Sequence, residues 1–207
     1  KVVVEGTPCT DRQVIFISNH MSYLDIPVIG STLKASFVAK GEVATWPVFG
    51  FLSKLQQTAF ISRSRTTLGN DKNNLETMLK DGRSMVIFPE GTSTDGRAVV
   101  PFKSSLFSIA LADDGTDIWL QPMTLSLIDV HGQSPDDQAV RDLYAWHGDM
   151  DLAPHLSMFG KLSGATVRMT FHEPVSARAI NDRKVLAKIC YESVTSCLDN
   201  PALAIAA

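Results

Sequence analysis

His20 and Asp25 stand five residues apart, and an imidazole with a carboxylate at one of its nitrogens is a common acid-base device. The imidazole takes a proton from a hydroxyl, while the carboxylate fixes the tautomer and stabilises the imidazolium. No Ser or Cys nucleophile need belong to the protein, because the attacking hydroxyl can be the substrate's. Spacing alone decides little, since His131 and Asp136 repeat it with Gly132 and Pro135 between them. A purely structural account of the first window also stands, with His20 capping a helix and Asp25 supporting its first turn through the macrodipole.

The elements around each window separate the two pairs. Val14-Ile15-Phe16-Ile17 is a β-branched and aromatic run, followed by Ser18-Asn19-His20 and a helical stretch whose predicted cap is Ser22, with Asp25 three residues on. A strand, a turn and a helix put His20 where open α/β sheets place their ligand crevices. His131 instead opens a polar stretch and reads as a solvated loop residue. A second window, Phe88-Pro89-Glu90-Gly91-Thr92-Ser93, follows the apolar run Met85-Val86-Ile87-Phe88. Its proline stops a strand, and its Gly and Thr offer N–H and hydroxyl donors suited to an anionic or polar headgroup. In isolation it is also an ordinary strand exit.

Further strands are expected over 36–39, 58–62, 118–128 and 165–172, and helices over 66–80, 104–112 and 182–198. Gly82 suits the C-cap of the first of these helices. The last is expected to turn Val185, Leu186, Ile189, Cys190, Val194 and Cys197 inward. Strands alternating with helices imply a single α/β domain over 1–207, an αβ sandwich around a mostly parallel central sheet flanked by helices. The polar stretch 129–156 reads as an insertion in that domain.

Composition narrows the function classes. With 19 Lys+Arg against 22 Asp+Glu and a net charge of -3, the chain lacks the cationic footprint of a nucleic-acid protein. Its 3 cysteines read as small core residues of a reducing compartment. The uncharged stretches 43–53 and 104–112 fall far short of the roughly 18 to 20 apolar residues of a spanning helix. The abrupt start at Lys1-Val2-Val3-Val4 is not a signal peptide and leaves room for an N-terminal anchor before it.

Asn19-His20-Met21-Ser22-Tyr23-Leu24-Asp25, Phe60-Ile61-Ser62-Arg63 and Phe88-Pro89-Glu90-Gly91-Thr92-Ser93, in this order, resemble the glycerolipid acyltransferases typified by 1-acylglycerol-3-phosphate acyltransferase. The resemblance extends from about Val3 to Val175 and takes in Leu120-Gln121-Pro122 and Lys40-Gly41-Glu42 with Pro47 and Gly50. Two positions depart from the family pattern: Gln57 and Ser104 stand where glycines are usual.

The resemblance implies the glycerol-3-phosphate acyltransferase-like fold and transfer of a fatty acyl group from acyl-CoA or acyl carrier protein to a lysolipid hydroxyl. The first acceptor it suggests is 1-acylglycerol-3-phosphate, giving phosphatidic acid, with lyso-ornithine lipid as the alternative. Acyl-thioester hydrolysis and simple lipid binding are the further rivals. His20 would be the base and Asp25 its orienting partner; Arg63 would hold the acceptor's anionic headgroup, with Glu90, Gly91 and Thr92 shaping that pocket. Lys103 is either an addition to that anionic site or a solvated lysine. No metal or organic cofactor is expected, and the acyl thioester is a co-substrate. The expected partners are the lysolipid, its acyl donor and a membrane surface, at the cytoplasmic face of the membrane. The 43–52 stretch, with Trp46, Phe49 and Phe51, either dips into the membrane interface or lies in the core. The segment 144–155, with two His and two Asp, invites a metal reading, but a membrane-facing or substrate-facing loop is preferred. It resembles a segment of a bacterial branch that includes acyltransferases of lyso-ornithine lipid.

Overall fold

The computed structural model describes residues 1–40, 59–61, 77–79, 81–111 and 117–198. Eight strands form one mixed sheet: β1 Val2–Glu5, β2 Val14–Ser18, β3 Ser36–Lys40, β4 Ala59–Ile61, β5 Met85–Ile87, β6 Trp119–Val130, β7 Ala165–Phe171 and β8 Val175–Ser176. The order is β1-β7-β6-β2-β5-β3-β4, with β8 pairing the start of β6. β6, β2, β5, β3 and β4 run parallel, whereas β7 and β8 meet β6 antiparallel. The sheet is mostly parallel, as the alternation of elements implies, with the reversed strands gathered on one side.

Both faces of this sheet are covered, which is why β2 and β5 read as unbroken apolar runs. Every residue of β2 and β5 is buried. Ile15, Ile17 and Ile87 face a layer made by the 3-10 helix Ser104–Leu111 and by α5, Arg183–Ser196. Val14, Phe16 and Val86 face α1, Asp25–Gly30, and Tyr144. Between β6 and β7 lie two short helices, α2 Gln138–Arg141 and α3 Leu152–Phe159, and α4 Ala177–Ile180 precedes α5.

Three local expectations need correction. Residues 104–111 wind as a 3-10 helix. Ser108 Oγ donates to the Ser105 carbonyl at 2.7 Å, so a side chain takes up a backbone acceptor that α-helical bonding would use. Val185 is 44% exposed, and Ala187 is buried with Leu186, Cys190 and Val194 instead. It stands about 100° around the helix from the 186–190–194 line. Ser22 is not a side-chain cap: α1 begins at Asp25 after Leu24, with no cap bond from a side chain. Only the backward half of a capping box forms, Ser22 N–H to Asp25 Oδ2 at 2.9 Å, and the buried Ser22 hydroxyl has no partner among the described residues.

The Gly82 expectation holds. Its φ is +74°, its N–H donates to the Leu79 carbonyl, and Arg83 N–H reaches Met78, the two bonds of a Schellman cap. Cys9, Cys190 and Cys197 are free thiols, and burial pushes the Cys190 thiol up to about 12. No helix among the described residues is long and apolar enough to cross a membrane.

Candidate active site

β2 and β5 are neighbours and run parallel, with Ile17 opposite Ile87, so both chain exits emerge at the same end of the sheet. This brings the His20 turn against the loop that begins at Phe88. Asn19 extends β2 with its side chain. Its amide donates to the Leu125 carbonyl at 2.9 Å and its carbonyl oxygen accepts from Leu125 N–H at 2.8 Å. The carboxamide thus stands in for a peptide group on β6 and frees the backbone to turn away from the sheet at His20.

His20 Nδ1 lies 2.8 Å from Asp25 Oδ2. A carboxylate only accepts, so Nδ1 carries the proton and Nε2 is left as the basic nitrogen. The same Oδ2 accepts from Met21 N–H at 2.7 Å and from Ser22 N–H, while Oδ1 accepts from the Tyr144 hydroxyl at 3.0 Å. Asp25 is fully buried and His20 keeps a partly exposed edge. The imidazole stacks on Phe88 at 4.2 Å between ring centroids, 21° from parallel. Its plane is thereby held from one face and its rotation from Nδ1. The competing account, in which His20 caps a helix, does not describe this ring, whose Nδ1 is committed to a carboxylate.

The backbone of His20 is clamped by the 88–94 loop. Its N–H donates to Glu90 Oε1 at 2.8 Å, and its carbonyl accepts from Thr94 N–H at 2.9 Å. Glu90 Oε2 takes Val100 N–H at 2.7 Å, so this buried carboxyl ties three segments together. Burial pushes Glu90 up to about 7, and the two backbone bonds pull the other way. Gly91 has φ +70°, in the left-handed region. The Lys103 ammonium lies where a side chain on Gly91 would have to go. Lys103 is exposed and its N–H donates to the Pro89 carbonyl at 3.0 Å. Thr92 is exposed on the same loop. The structure therefore gathers His20, Asp25, Glu90, Gly91, Thr92 and Lys103 at one end of the sheet. Arg63, the 43–52 stretch, and Pro47 and Gly50 lie outside the described residues. Pro122 lies on β6 opposite Ile17.

The repeat pair does not form. His131 sits in an exposed turn with φ +56° and bonds Ser163 Oγ at 2.8 Å. Asp136 accepts from the Ser134 hydroxyl instead.

The 144–155 segment is not a loop turned wholly outward. Tyr144 and His155 are buried, and the Tyr23 hydroxyl lies 2.9 Å from His155 Nδ1. Trp146 N–H donates to the Met21 carbonyl at 2.9 Å. Burial lowers the tendency of His155 to protonate, and its Nε2 faces the Asp142 carbonyl at 3.1 Å, so it serves as a neutral strut. The contacts of Tyr144 with Asp25 and of Asn19 with β6 were not legible in the sequence. The only signal was the position of Tyr144 at the head of a segment rich in His and Asp.

Residues 1–126 match the family described as Acyltransferase, and across 204 residues the chain is 36% identical to a lyso-ornithine lipid O-acyltransferase of Brucella abortus, covering 96% of this chain and 74% of that one. The chain belongs to the acyltransferase family. A Rhizobium meliloti protein of the same name is 32% identical over 97% of this chain and 70% of its own length. A 1-acyl-sn-glycerol-3-phosphate acyltransferase of Neisseria meningitidis is 29% identical over 91% of this chain and 71% of its own length. The fold is that of the solved 1-acyl-sn-glycerophosphate acyltransferase PlsC of Thermotoga maritima, with a TM-score of 0.69 at 23% identity over 96% of this chain and 70% of that one. The arrangement around His20 leaves Nε2 of a partly exposed imidazole free of the Asp25 contact.

Proposed function

We propose that this acyltransferase is a lyso-ornithine lipid O-acyltransferase. His20 Nε2 removes the proton from the acceptor hydroxyl, and the oxygen attacks the thioester carbonyl of acyl-CoA or acyl carrier protein. The tetrahedral intermediate collapses to an ester, and the imidazolium returns its proton to the departing thiol. The reaction so written uses no metal or organic cofactor. The observation that carries the chemistry is the 2.8 Å contact between His20 Nδ1 and Asp25, which leaves Nε2 as the base. The acceptor rests on relatives named for lyso-ornithine lipid at 36% and 32% identity, against 29% for one named for 1-acyl-sn-glycerol-3-phosphate. That reverses the order in which the motifs alone suggest the two acceptors, and 1-acylglycerol-3-phosphate is the second reading.

An ornithine headgroup carries a carboxylate and a lysophosphatidate a phosphate, so both call for a cation. In this proposal Arg63 supplies it, with Glu90, Gly91 and Thr92 shaping the pocket beside it. The enzyme works at the cytoplasmic face of a membrane, where its lipid acceptor and acyl donor meet, held peripherally or by a segment ahead of Lys1.

The test is an acceptor screen with labelled acyl-CoA and labelled acyl carrier protein. Ester formation on lyso-ornithine lipid, absent in His20→Ala, is expected. Turnover of 1-acylglycerol-3-phosphate alone moves the assignment to the second reading. Thiol release that needs no acceptor makes the protein a thioesterase.

A further inference from the structure

Among the described residues Asp25 accepts four hydrogen bonds, of which three come from its own turn and converge on Oδ2. Oδ1 is held from elsewhere, by the Tyr144 hydroxyl 119 residues downstream. Tyr144 is fully buried, and burial, followed by the charge of Asp25, raises its pKa well above the ordinary tyrosine value. It therefore stays a donor over the whole working range. Its own placement is fixed: Tyr144 N–H donates to the Arg141 carbonyl at 3.0 Å, and its ring meets Phe159 edge-on at 6.2 Å. The buried Arg141 is tied in turn to the carbonyls of Pro135 and Asp95. Trp146 and His155 add bonds to Met21 and Tyr23, so one segment grips the His20–Asp25 turn at three points.

We propose that Tyr144 is a positioning residue of the acyl transfer, whose hydroxyl locks the carboxylate plane of Asp25 so that Oδ2 stays on His20 Nδ1 and Nε2 stays on the acceptor hydroxyl. The inference rests on the role of His20 as base. The terminal torsion of an Asp side chain is soft, and with Oδ1 free the carboxylate can swing. A misplacement of the base by about 1 Å costs on the order of 100-fold in rate. Losing this donor also leaves more negative charge on Asp25 facing the imidazole. Among the described residues, the charged and titratable groups facing that ring are Asp25 on α1, Glu90 on the loop after β5, and Tyr144 behind Asp25.

The experiment compares wild type, His20→Ala, Asp25→Asn, Tyr144→Phe, Phe159→Leu and the Asp25→Asn/Tyr144→Phe double variant. All are assayed as the full chain with both lysolipids of the acceptor screen. Tyr144→Phe is expected to lower kcat about 10- to 100-fold with KM within about twofold, and to move the acidic limb of kcat/KM up by about half a pH unit. In the Asp25→Asn background the same change is expected to have no further effect, because Tyr144 acts through Asp25. Phe159→Leu loosens the ring without removing the hydroxyl, and is expected to lower Tm and leave the acidic limb in place. Wild-type kcat in Tyr144→Phe, additivity in the double variant, or an equal kcat loss in Phe159→Leu overturns the inference while leaving His20 as the base. Full activity in His20→Ala, or turnover of neither lysolipid, overturns both.

Discussion

Two stretches of this chain carry a His and an Asp five apart, and they end in opposite states. His20 and Asp25 meet at 2.8 Å, whereas His131 bonds Ser163 and Asp136 bonds Ser134. The difference lies in what holds each turn. The first leaves a strand buried on both faces, and its Asp opens a helix and folds back onto the turn's own N–H groups. The second hangs from the end of β6 in solvent, where a left-handed His131 directs the chain and no core fixes the side chains. A spacing becomes a dyad only where buried polar groups must find partners.

The largest effect is expected for His20→Ala, which should reduce kcat by at least about 10³-fold while the fold and Tm remain near wild type. Asp25→Asn comes next, with a loss of roughly 10²- to 10³-fold, because the amide no longer demands a proton on Nδ1 and leaves the wrong tautomer available. At the same turn Glu90→Gln tests the backbone clamp and should cost about tenfold in kcat, since an NH₂ replaces one acceptor of the His20 and Val100 amides. Glu90 also predicts a pH dependence of stability. Burial raises its folded-state pKa from 4.5 to about 7, so its contribution is fully present below 4.5 and is lost as pH rises through 7. Wild type should therefore gain roughly 2 kcal/mol relative to Glu90→Gln between pH 8 and pH 5, read from denaturant melts. The smallest effect closes the comparison: His131→Ala and Asp136→Asn should leave kcat and KM within about twofold. A large activity loss in either would break the contrast between the two pairs.

Much of the frame was legible before any coordinates. β2, β3, β5, β6, β7 and α5 fall where apolar runs and their stops predict them, because strands buried on both faces leave continuous hydrophobic signatures. The 3-10 winding of 104–111 and the outward Val185 were not legible, since side-chain competition for a carbonyl and the rotation of a helix on its sheet are settled by packing. The segment 144–155 was read as facing a membrane or substrate. Tyr144 and His155 instead reach inward to Asp25 and Tyr23, while Gly148, Asp149 and Asp151 stay exposed. Composition cannot tell a solvated polar loop from a buried polar strut, because both are built from the same residue types.

By itself the sequence determined the strand and the turn that carry His20 and place Asp25 five residues on, because an apolar run and its polar stop are local signals. It also determined the family, through motifs whose order survives without coordinates. Tertiary structure alone decided what holds the pair in place: Glu90 on the His20 amide, Asn19 on β6 and Tyr144 on Asp25. Those partners lie 70, 106 and 119 residues away, and parallel pairing of β2 with β5 and β6, together with the full burial of the Asp25 carboxylate, brings them to one site.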